Sequence, residues 1–209
     1  MVAAMVETAN PGIYVLAAHP HVRESRVNAR LAAAARGVPG VVVQDLYAAY
    51  PDYDIDVRAE QERAAAAQLI VLLHPIHWYS ATPLLKLWMD DVLAWGWAYG
   101  RGGTQLRGKD LWLVATTGGP EASYHPQGYN RYFFDAFLPP YEQTAALCGM
   151  RFLPPLVFHG AHRASREEVQ AHVDVFAQRL ASYPDWPEIE DLACPACEVP
   201  EGDRPEDHR

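Results

Sequence analysis

Short, almost wholly apolar runs recur along the chain, and longer segments with apolar residues at helical spacing separate them. The apolar runs predict five strands, at 13–18, 41–43, 69–73, 109–115 and 151–158. Few polar residues interrupt these runs, as expected of strands that are buried on both faces. The intervening segments predict five helices, at about 25–36, 57–67, 83–93, 138–148 and 165–182. Strands that alternate with helices in this way predict an α/β fold with a parallel sheet.

Helix boundary signals support these assignments. Ser25 is a candidate N-cap, and Ser165 with Glu168 forms a capping box. Thr82 precedes Pro83, which places a cap residue before proline at the first helical position. Five strands fit the flavodoxin-like order 2-1-3-4-5, with helices on both faces of the sheet. Since ligands of such sheets bind beyond the carboxyl ends of the strands, the loops there are the candidates for function.

The charge of the chain is concentrated at one end. The 209 residues include 17 Lys and Arg against 26 Asp and Glu, a formal charge of −9. Residues 184–209 carry −7 of this and residues 1–183 only −2. We therefore divide the chain into an N-terminal extension (1–11), one domain (12–183) and an acidic, Pro-rich tail (184–209) that is expected to be solvated and partly disordered.

Composition also excludes several classes of function. A net acidic chain is a poor partner for nucleic-acid phosphates, whose binding depends on basic side chains and released counterions. No apolar run approaches the roughly 18 residues of a membrane-spanning helix, and no secretory signal is visible. A cytoplasmic enzyme or subunit, with no metal site, is the expectation.

The first loop after a strand is rich in groups that can bind a phosphate. It contains His19, Ser25, Arg26 and Asn28, and it leads into a predicted helix. Free N–H groups and the helix dipole both favour an anion at such a helix N-terminus. The loop lacks the Gly-x-Gly-x-x-Gly pattern of a Rossmann NAD site. The alternative is that Ser25 only caps the helix and the histidines are ordinary surface residues.

Two further loops end at the same predicted edge of the sheet. One, at 74–83, places Trp78 and Tyr79 after a buried strand, where exposed aromatic rings are typical of a flat ligand. The other contains Gly118 and Gly119, whose lack of side chains lets backbone N–H groups approach a ligand. Ordinary packing and a plain tight turn are the alternatives. The convergence of three such loops favours a planar phosphate ester such as a flavin nucleotide.

These residues carry a resemblance to the NAD(P)H:quinone oxidoreductase family, which spans about residues 12–181. The motifs that carry it are His19-Pro-x5-Ser25-x-x-Asn28, Leu-Tyr-x-x-Tyr-Pro-Asp at 46–52, His-Pro-Ile-His-Trp-Tyr-Ser at 74–80, Trp97-Ala-Tyr-Gly-x-Gly-Gly-Thr104 and Thr116-Thr-Gly-Gly119. Within that family, the branch that they resemble best is formed by ancillary proteins of bacterial glutathione-gated potassium-efflux systems. The resemblance implies a flavodoxin-like homodimer that holds FMN and reduces quinones by two electrons.

The resemblance also implies roles for individual residues. Residues that would hold the flavin phosphate and ribityl chain are His19, Ser25, Arg26, Val27 and Asn28. Residues that would line the edges of the isoalloxazine ring are Ile76, His77, Trp78, Tyr79, Thr116, Thr117, Gly118 and Gly119. Backbone N–H groups of the two glycines are candidates for stabilising charge on the reduced ring. FAD is less well suited than FMN, because the short loops leave no adenosine site.

Related quinone reductases of the mammalian type use a tyrosine and a histidine after the Thr-Thr-Gly-Gly turn as a proton relay. Here Tyr124 matches the tyrosine, but Asn130 stands at the histidine position and cannot titrate. His125 is the candidate substitute. Trp97 and Tyr99 are candidates to cover the substrate pocket, from the same or the partner subunit, and simple core or interface packing is the alternative.

Two functions follow from the resemblance. The first is a ping-pong transfer of a hydride from NAD(P)H to the flavin and then to a quinone, with azo or nitro compounds as other possible acceptors. The second is a flavin-bearing regulatory subunit that activates a potassium/proton antiporter, which would place the protein at the inner face of the cell membrane. The sequence leaves open the physiological quinone, the choice between NADH and NADPH, and the role of Cys194 and Cys197 in the tail.

Overall fold

The sheet of this computed structural model has the predicted order. The structure describes residues 12–192, so the extension 1–11 and residues 193–209, with Cys194 and Cys197, lie outside the described residues. Five parallel strands are arranged as β2-β1-β3-β4-β5. Their bounds are β1 Ile13–Ala17, β2 Val41–Asp45, β3 Leu69–Pro75, β4 Asp110–Thr116 and β5 Arg151–Phe158. The predicted flavodoxin-like α/β fold is confirmed.

Seven helices surround the sheet within the described residues. Their bounds are α1 Asn28–Arg36, α2 Leu46–Ala49, α3 Val57–Ala66, α4 Pro83–Val92, α5 Pro139–Leu147, α6 Arg166–Ser182 and α7 Pro187–Asp191. None of the helices in this part of the chain is long and apolar enough to cross a membrane. The short helix α2 begins at Leu46 and extends into 47–56, a stretch rich in Asp, Tyr and Pro whose composition predicts a loop; that prediction is wrong for 47–49. Asp45 caps this helix by accepting from the Ala48 N–H at 3.2 Å.

The cap signals act differently at different helices. Ser165 and Glu168 form the predicted capping box of α6. At α1 the first helical residue is Asn28 rather than a residue next to Ser25, yet the Ser25 hydroxyl still accepts from the Asn28 N–H at 2.9 Å. Thr82 occupies the N-cap of α4, but its hydroxyl donates to the Ala18 carbonyl at 3.0 Å. That bond ties the start of α4 to the end of β1.

Both faces of the sheet are buried, which explains the lack of alternation in the strand sequences. Tyr14 and Leu16 of β1 belong to one core cluster, and Ile13 and Val15 belong to a second. All seven residues of β3 and all seven of β4 are buried. Every second side chain therefore enters a different core, and both sets must be apolar.

A fully buried carboxylate connects the helices of one core to the sheet. Glu60 has no exposed surface and accepts from Tyr14 at 2.5 Å, Trp88 at 2.7 Å, Tyr50 at 2.7 Å and Arg63 at 2.8 Å. Burial and the neighbouring carboxylate raise the pKa of Tyr50 to about 12, so its hydroxyl stays protonated and donates. Four donors satisfy the buried charge and join β1, α3 and α4.

The segment 184–192, which belongs to the predicted tail, packs on the domain through Trp186. Trp186 is only 3% exposed, and its ring centroid lies 4.8 Å from that of Trp112 in β4. The Arg179 guanidinium lies 5.0 Å from the Trp186 ring and forms two hydrogen bonds with Glu188. Acidic and proline-rich composition predicted a solvated tail, but one large aromatic side chain buries enough surface to hold this part in place.

Replacing Trp186 with alanine tests this docking. We expect Trp186→Ala to lower the free energy of unfolding by about 3–5 kcal/mol, because a large buried ring is lost from the core. Asp185→Ala is the matched control; its exposed side chain should change stability by less than about 0.5 kcal/mol. Chemical denaturation measures both values. A loss below about 1 kcal/mol for Trp186→Ala would show that the segment is not part of the core.

Candidate functional site

A cleft of about 510 Å³ opens at the carboxyl ends of β1, β3 and β4. This is the edge at which the order of the sheet reverses, next to β1 and β3, where ligands of open α/β sheets bind. The cleft is lined by His19, His21, Glu24, Ser25, Arg26, Val27, Asn28, Pro75, Ile76, His77, Thr116, Thr117, Gly118, Ala161 and His162. The three loops singled out in the sequence therefore meet, and the loop after β5 joins them.

The loop after β1 presents backbone donors to this cleft. It forms a single 3₁₀ turn at Val22–Glu24 before α1 begins. The N–H groups of Arg26 and Val27, directly before that helix, have no hydrogen-bond partner among residues 12–192. Unpaired N–H groups at a helix N-terminus form a site for an anion.

Asn28 is the buried polar group of the cleft that lacks a partner. Its side chain is 4% exposed, and its amide nitrogen donates to the Thr116 hydroxyl at 2.8 Å. The amide oxygen Oδ1 is buried and has no hydrogen-bond partner within the described residues. A buried acceptor of this kind costs about 1–3 kcal/mol when left unpaired. It fits a ligand hydroxyl or N–H group that enters the cleft.

Arg26 lies at the cleft, but its guanidinium is occupied. It donates to the carbonyl oxygens of His162 at 3.4 Å and Ala164 at 3.0 Å. The side chain therefore joins the start of α1 to the loop after β5. The resemblance gives Arg26 as a residue that would hold the flavin phosphate and ribityl chain, and in the structure its side chain also supports the wall of the cleft.

Three histidines from two loops lie around one end of the cleft. The Nδ1 atom of His19 accepts from the His21 N–H at 3.0 Å. Burial lowers the pKa of His19, and the neighbouring imidazoles of His77 and His21 lower it further. Burial also lowers the pKa of His77. Both rings are therefore neutral at pH 7, and a bound anion would oppose these shifts by stabilising the charged form.

The aromatic loop after β3 is a tight, strained turn. His77 and Ser80 exchange two backbone hydrogen bonds of 3.1 Å, and the two residues between them have positive φ, 49° at Trp78 and 64° at Tyr79. Such angles correspond to a type I′ turn, which normally contains Asn or Gly. Bulky residues there cost of order 1–3 kcal/mol each. The Trp78 side chain is 93% exposed, so core packing does not explain it.

The turn after β4 brings backbone donors to the cleft. Its carbonyl groups are used within the fold: Thr117 O accepts from the Ala161 N–H and Gly119 O from the Gly160 N–H, both at 2.9 Å. The N–H groups of Gly118 and Gly119 have no partner in the part of the chain that the structure describes. A Cβ at Gly118 would lie 3.0 Å from the His162 ring, so a side chain there would require that exposed ring to shift.

A second, more open cleft of about 640 Å³ lies against the segment after this turn. Tyr124, His125 and Phe133 are among the residues that line it. Burial raises the pKa of Tyr124, and the Thr117 hydroxyl partly opposes that effect. Asn130 does not line either cleft; its side-chain oxygen accepts from the Tyr79 hydroxyl at 3.3 Å. That bond joins the loop after β3 to the segment after β4.

The histidine that contacts Tyr124 is not one of those predicted. The His125 ring packs against Phe133, with centroids 5.0 Å apart. The ring of His159 lies 5.1 Å from that of Tyr124, and its Nδ1 atom lies 3.0 Å from the Thr117 hydroxyl. His159 was not among the candidate site residues predicted from the sequence. Its position directly after β5, at the same edge as the other loops, was the signal that could have found it.

Trp97 and Tyr99 do not reach either cleft in this chain. Both are half-buried and pack against the core cluster that contains Trp88. No group of three metal-binding side chains occurs among residues 12–192.

Known proteins share this fold and these sequence features. A family described as having a flavodoxin-like fold matches residues 12–181. The glutathione-regulated potassium-efflux system ancillary protein KefF of Citrobacter koseri is 46% identical over 171 residues, which cover 82% of this chain and 96% of that protein.

Two solved structures are also similar to this chain in fold and sequence. The general stress protein 14 of Treponema denticola, solved in complex with FMN, is 36% identical with a TM-score of 0.78, over 81% of this chain and 98% of that one. An NADPH-quinone reductase of P. pentosaceus is 26% identical with a TM-score of 0.75, over 82% and 98% of the two chains. The chain therefore belongs to the flavodoxin-like NAD(P)H:quinone reductase family, which includes ancillary proteins of potassium-efflux systems.

Proposed function

We propose that this protein is an FMN-dependent oxidoreductase that transfers a hydride from NAD(P)H to a quinone by a ping-pong mechanism. The observation that carries the proposal is the unpaired acceptor of Asn28 in a cleft whose other walls present unpaired backbone N–H groups. The relative solved with FMN and the relative described as an NADPH-quinone reductase support the choice of cofactor and reaction.

The residues of the cleft fit FMN. The N–H groups of Arg26 and Val27 suit the phosphate, and Ser25 and His19 lie beside them. The Oδ1 atom of Asn28 is placed to accept from a hydroxyl of the ribityl chain. The loops at 76–79 and 116–119 supply the polar edge groups for the ring system. FMN is preferred to FAD because these short loops provide no site for an adenosine.

Bound FMN would supply a ring that accepts two electrons as a hydride and passes them on. The N–H groups of Gly118 and Gly119 would stabilise negative charge on the reduced ring, because they have no partner among the described residues and Gly118 lines the cleft. Burial raises the pKa of Tyr124, so its phenol stays protonated at neutral pH and can donate to the oxygen of a reduced acceptor. Trp78 would cover the site and exclude water.

The exposed aromatic side chains favour a homodimer. Trp78, Tyr129 and Tyr132 are 93%, 88% and 61% exposed, and Phe133 next to Tyr132 is 54% exposed. Trp78 lies on the loop after β3, and the other three residues lie on the segment after β4, both at the carboxyl edge of the sheet. Large apolar surfaces of this kind usually mark an interface. A second copy of the chain would cover them and enclose the second cleft.

A regulatory role is the second candidate, because the KefF proteins that are 42–46% identical to this chain are named ancillary proteins of potassium-efflux systems. In that role the protein would bind a cation antiporter at the inner face of the membrane. The two functions can coexist. Retained FMN without quinone-dependent turnover would favour the regulatory role alone.

The purified protein tests the main proposal directly. We expect yellow protein that releases FMN on denaturation, oxidises NAD(P)H only when a quinone is added, and sediments as a dimer. Absorbance spectroscopy, stopped-flow or steady-state assays and analytical ultracentrifugation provide these measurements. Colourless protein that takes up no added FMN would contradict the proposal.

Asn28→Leu tests the unpaired acceptor. Loss of the buried amide oxygen should weaken FMN binding by roughly tenfold to a hundredfold, since a buried hydrogen bond and its desolvation amount to about 1–3 kcal/mol. Fluorescence titration of the apoprotein with FMN measures the dissociation constant. Arg36→Gln, at the exposed far end of the same helix, is the control and should bind as the parent does. Equal binding by both variants would remove Asn28 from the site.

Trp78→Gly separates the backbone strain at this turn from the function of the Trp78 ring. Glycine adopts positive φ without strain, so the apoprotein should become more stable by about 1 kcal/mol. The same change should weaken FMN retention, because the exposed ring is lost. Thermal unfolding of the apoprotein and FMN titration measure the two effects. If Trp78→Gly holds FMN as tightly as the parent, the ring does not contact the cofactor.

A further inference from the structure

His159 contacts the residues that line both clefts, although it lines neither of them itself. Thr117 lines the first cleft and Tyr124 the second. The half-buried His159 ring lies 5.1 Å from the ring of Tyr124 and 5.3 Å from that of Phe134. Its Nδ1 atom lies 3.0 Å from the Thr117 hydroxyl oxygen.

The direction of the hydrogen bonds follows from the number of protons available. The Thr117 hydroxyl has one proton, and it donates this to the Gly119 carbonyl at 2.8 Å. With that proton used, the tautomer of His159 that completes the hydrogen bond carries its proton on Nδ1 and donates it to the Thr117 oxygen. Burial lowers the pKa of His159, so the ring is neutral at pH 7.

We propose that His159 is a positioning residue of the cofactor site, which acts by donating from Nδ1 to Thr117. The donated bond orients the hydroxyl, and the hydroxyl, together with the Gly160 N–H at 2.9 Å, holds the Gly119 carbonyl and so fixes the direction of the N–H groups of Gly118 and Gly119. This inference rests on the proposed function, and it extends the site to a residue directly after β5 that lies outside the three ligand loops.

The proposal predicts what each part of the imidazole does. Loss of the donor lets the Thr117 hydroxyl turn, and the Gly119 carbonyl then keeps only its bond from the Gly160 N–H, so the N–H groups of the turn are held less firmly. FMN binding weakens, and the midpoint potential of the bound flavin becomes more negative, because those N–H groups favour the reduced, negatively charged ring. Loss of the ring alone, with the donor kept, has a small effect.

Two substitutions separate the donor from the ring. His159→Asn keeps a nitrogen donor near the position of Nδ1 and removes most of the ring. His159→Phe keeps an aromatic ring against Tyr124 and removes the donor. We expect the dissociation constant of FMN to rise about fivefold to tenfold in His159→Phe and to stay within about twofold of the parent in His159→Asn. Fluorescence titration of apoprotein with FMN and potentiometric titration of the bound flavin are the measurements.

A second variant keeps the test valid if His159→Phe does not fold. Thr117→Val removes the hydroxyl and leaves the histidine, and it should weaken FMN binding and lower the potential in the same direction. In the Thr117→Val background, the difference between Asn and Phe at position 159 should disappear, because their shared partner is gone.

The outcomes distinguish this inference from the proposed function. A parent protein that binds no FMN overturns both. A parent that binds FMN, with His159→Phe equal to the parent or His159→Asn as weak as His159→Phe, overturns the positioning role alone. An unchanged potential in both His159→Phe and Thr117→Val also overturns it.

Discussion

Burial of both faces of the sheet is the constraint on which the rest of this structure depends. With β1, β3 and β4 enclosed between two cores, polar side chains are confined mainly to the ends of the strands. At the amino ends, Asp110 accepts from Arg151 and from Tyr183, at 2.6–2.9 Å. This ion pair joins the first residue of β4 to the first residue of β5, so the polar groups at this edge are already paired. The carboxyl ends remain open, and the chemistry of the protein is concentrated there.

The loops at the carboxyl ends hold one another in place. Thr82 donates to Ala18, Asn28 to Thr116, and Arg26 to the loop after β5. These bonds use several groups that the sequence alone would assign to a ligand, and they leave the backbone N–H groups and one amide oxygen for binding. A site fixed in this way loses little conformational entropy when a ligand enters. It can also support the strain of two aromatic residues at positive φ.

Much of the fold was predictable from local pattern. The β5 strand begins and ends at the predicted residues and the α6 helix within one residue of them, because apolar runs and a capping box are local signals. The three ligand loops were also predictable, since parallel strands place their carboxyl ends at one edge. Local pattern could not show that 184–192 packs against the domain. Trp186 finds its partner Trp112 more than 70 residues earlier in the chain.

The sequence by itself determined the order of strands and helices and the set of side chains available at the open edge. Tertiary structure decided which of them are free to act. The Arg26 guanidinium is tied to carbonyl oxygens, His125 faces Phe133, and His159 reaches Thr117 instead. The physical reason is that most polar side chains at this edge pair within the protein, and only those that do not are left for a ligand. Which partner lies within reach depends on loops that are distant in the chain, and no local sequence pattern shows which of these loops come together.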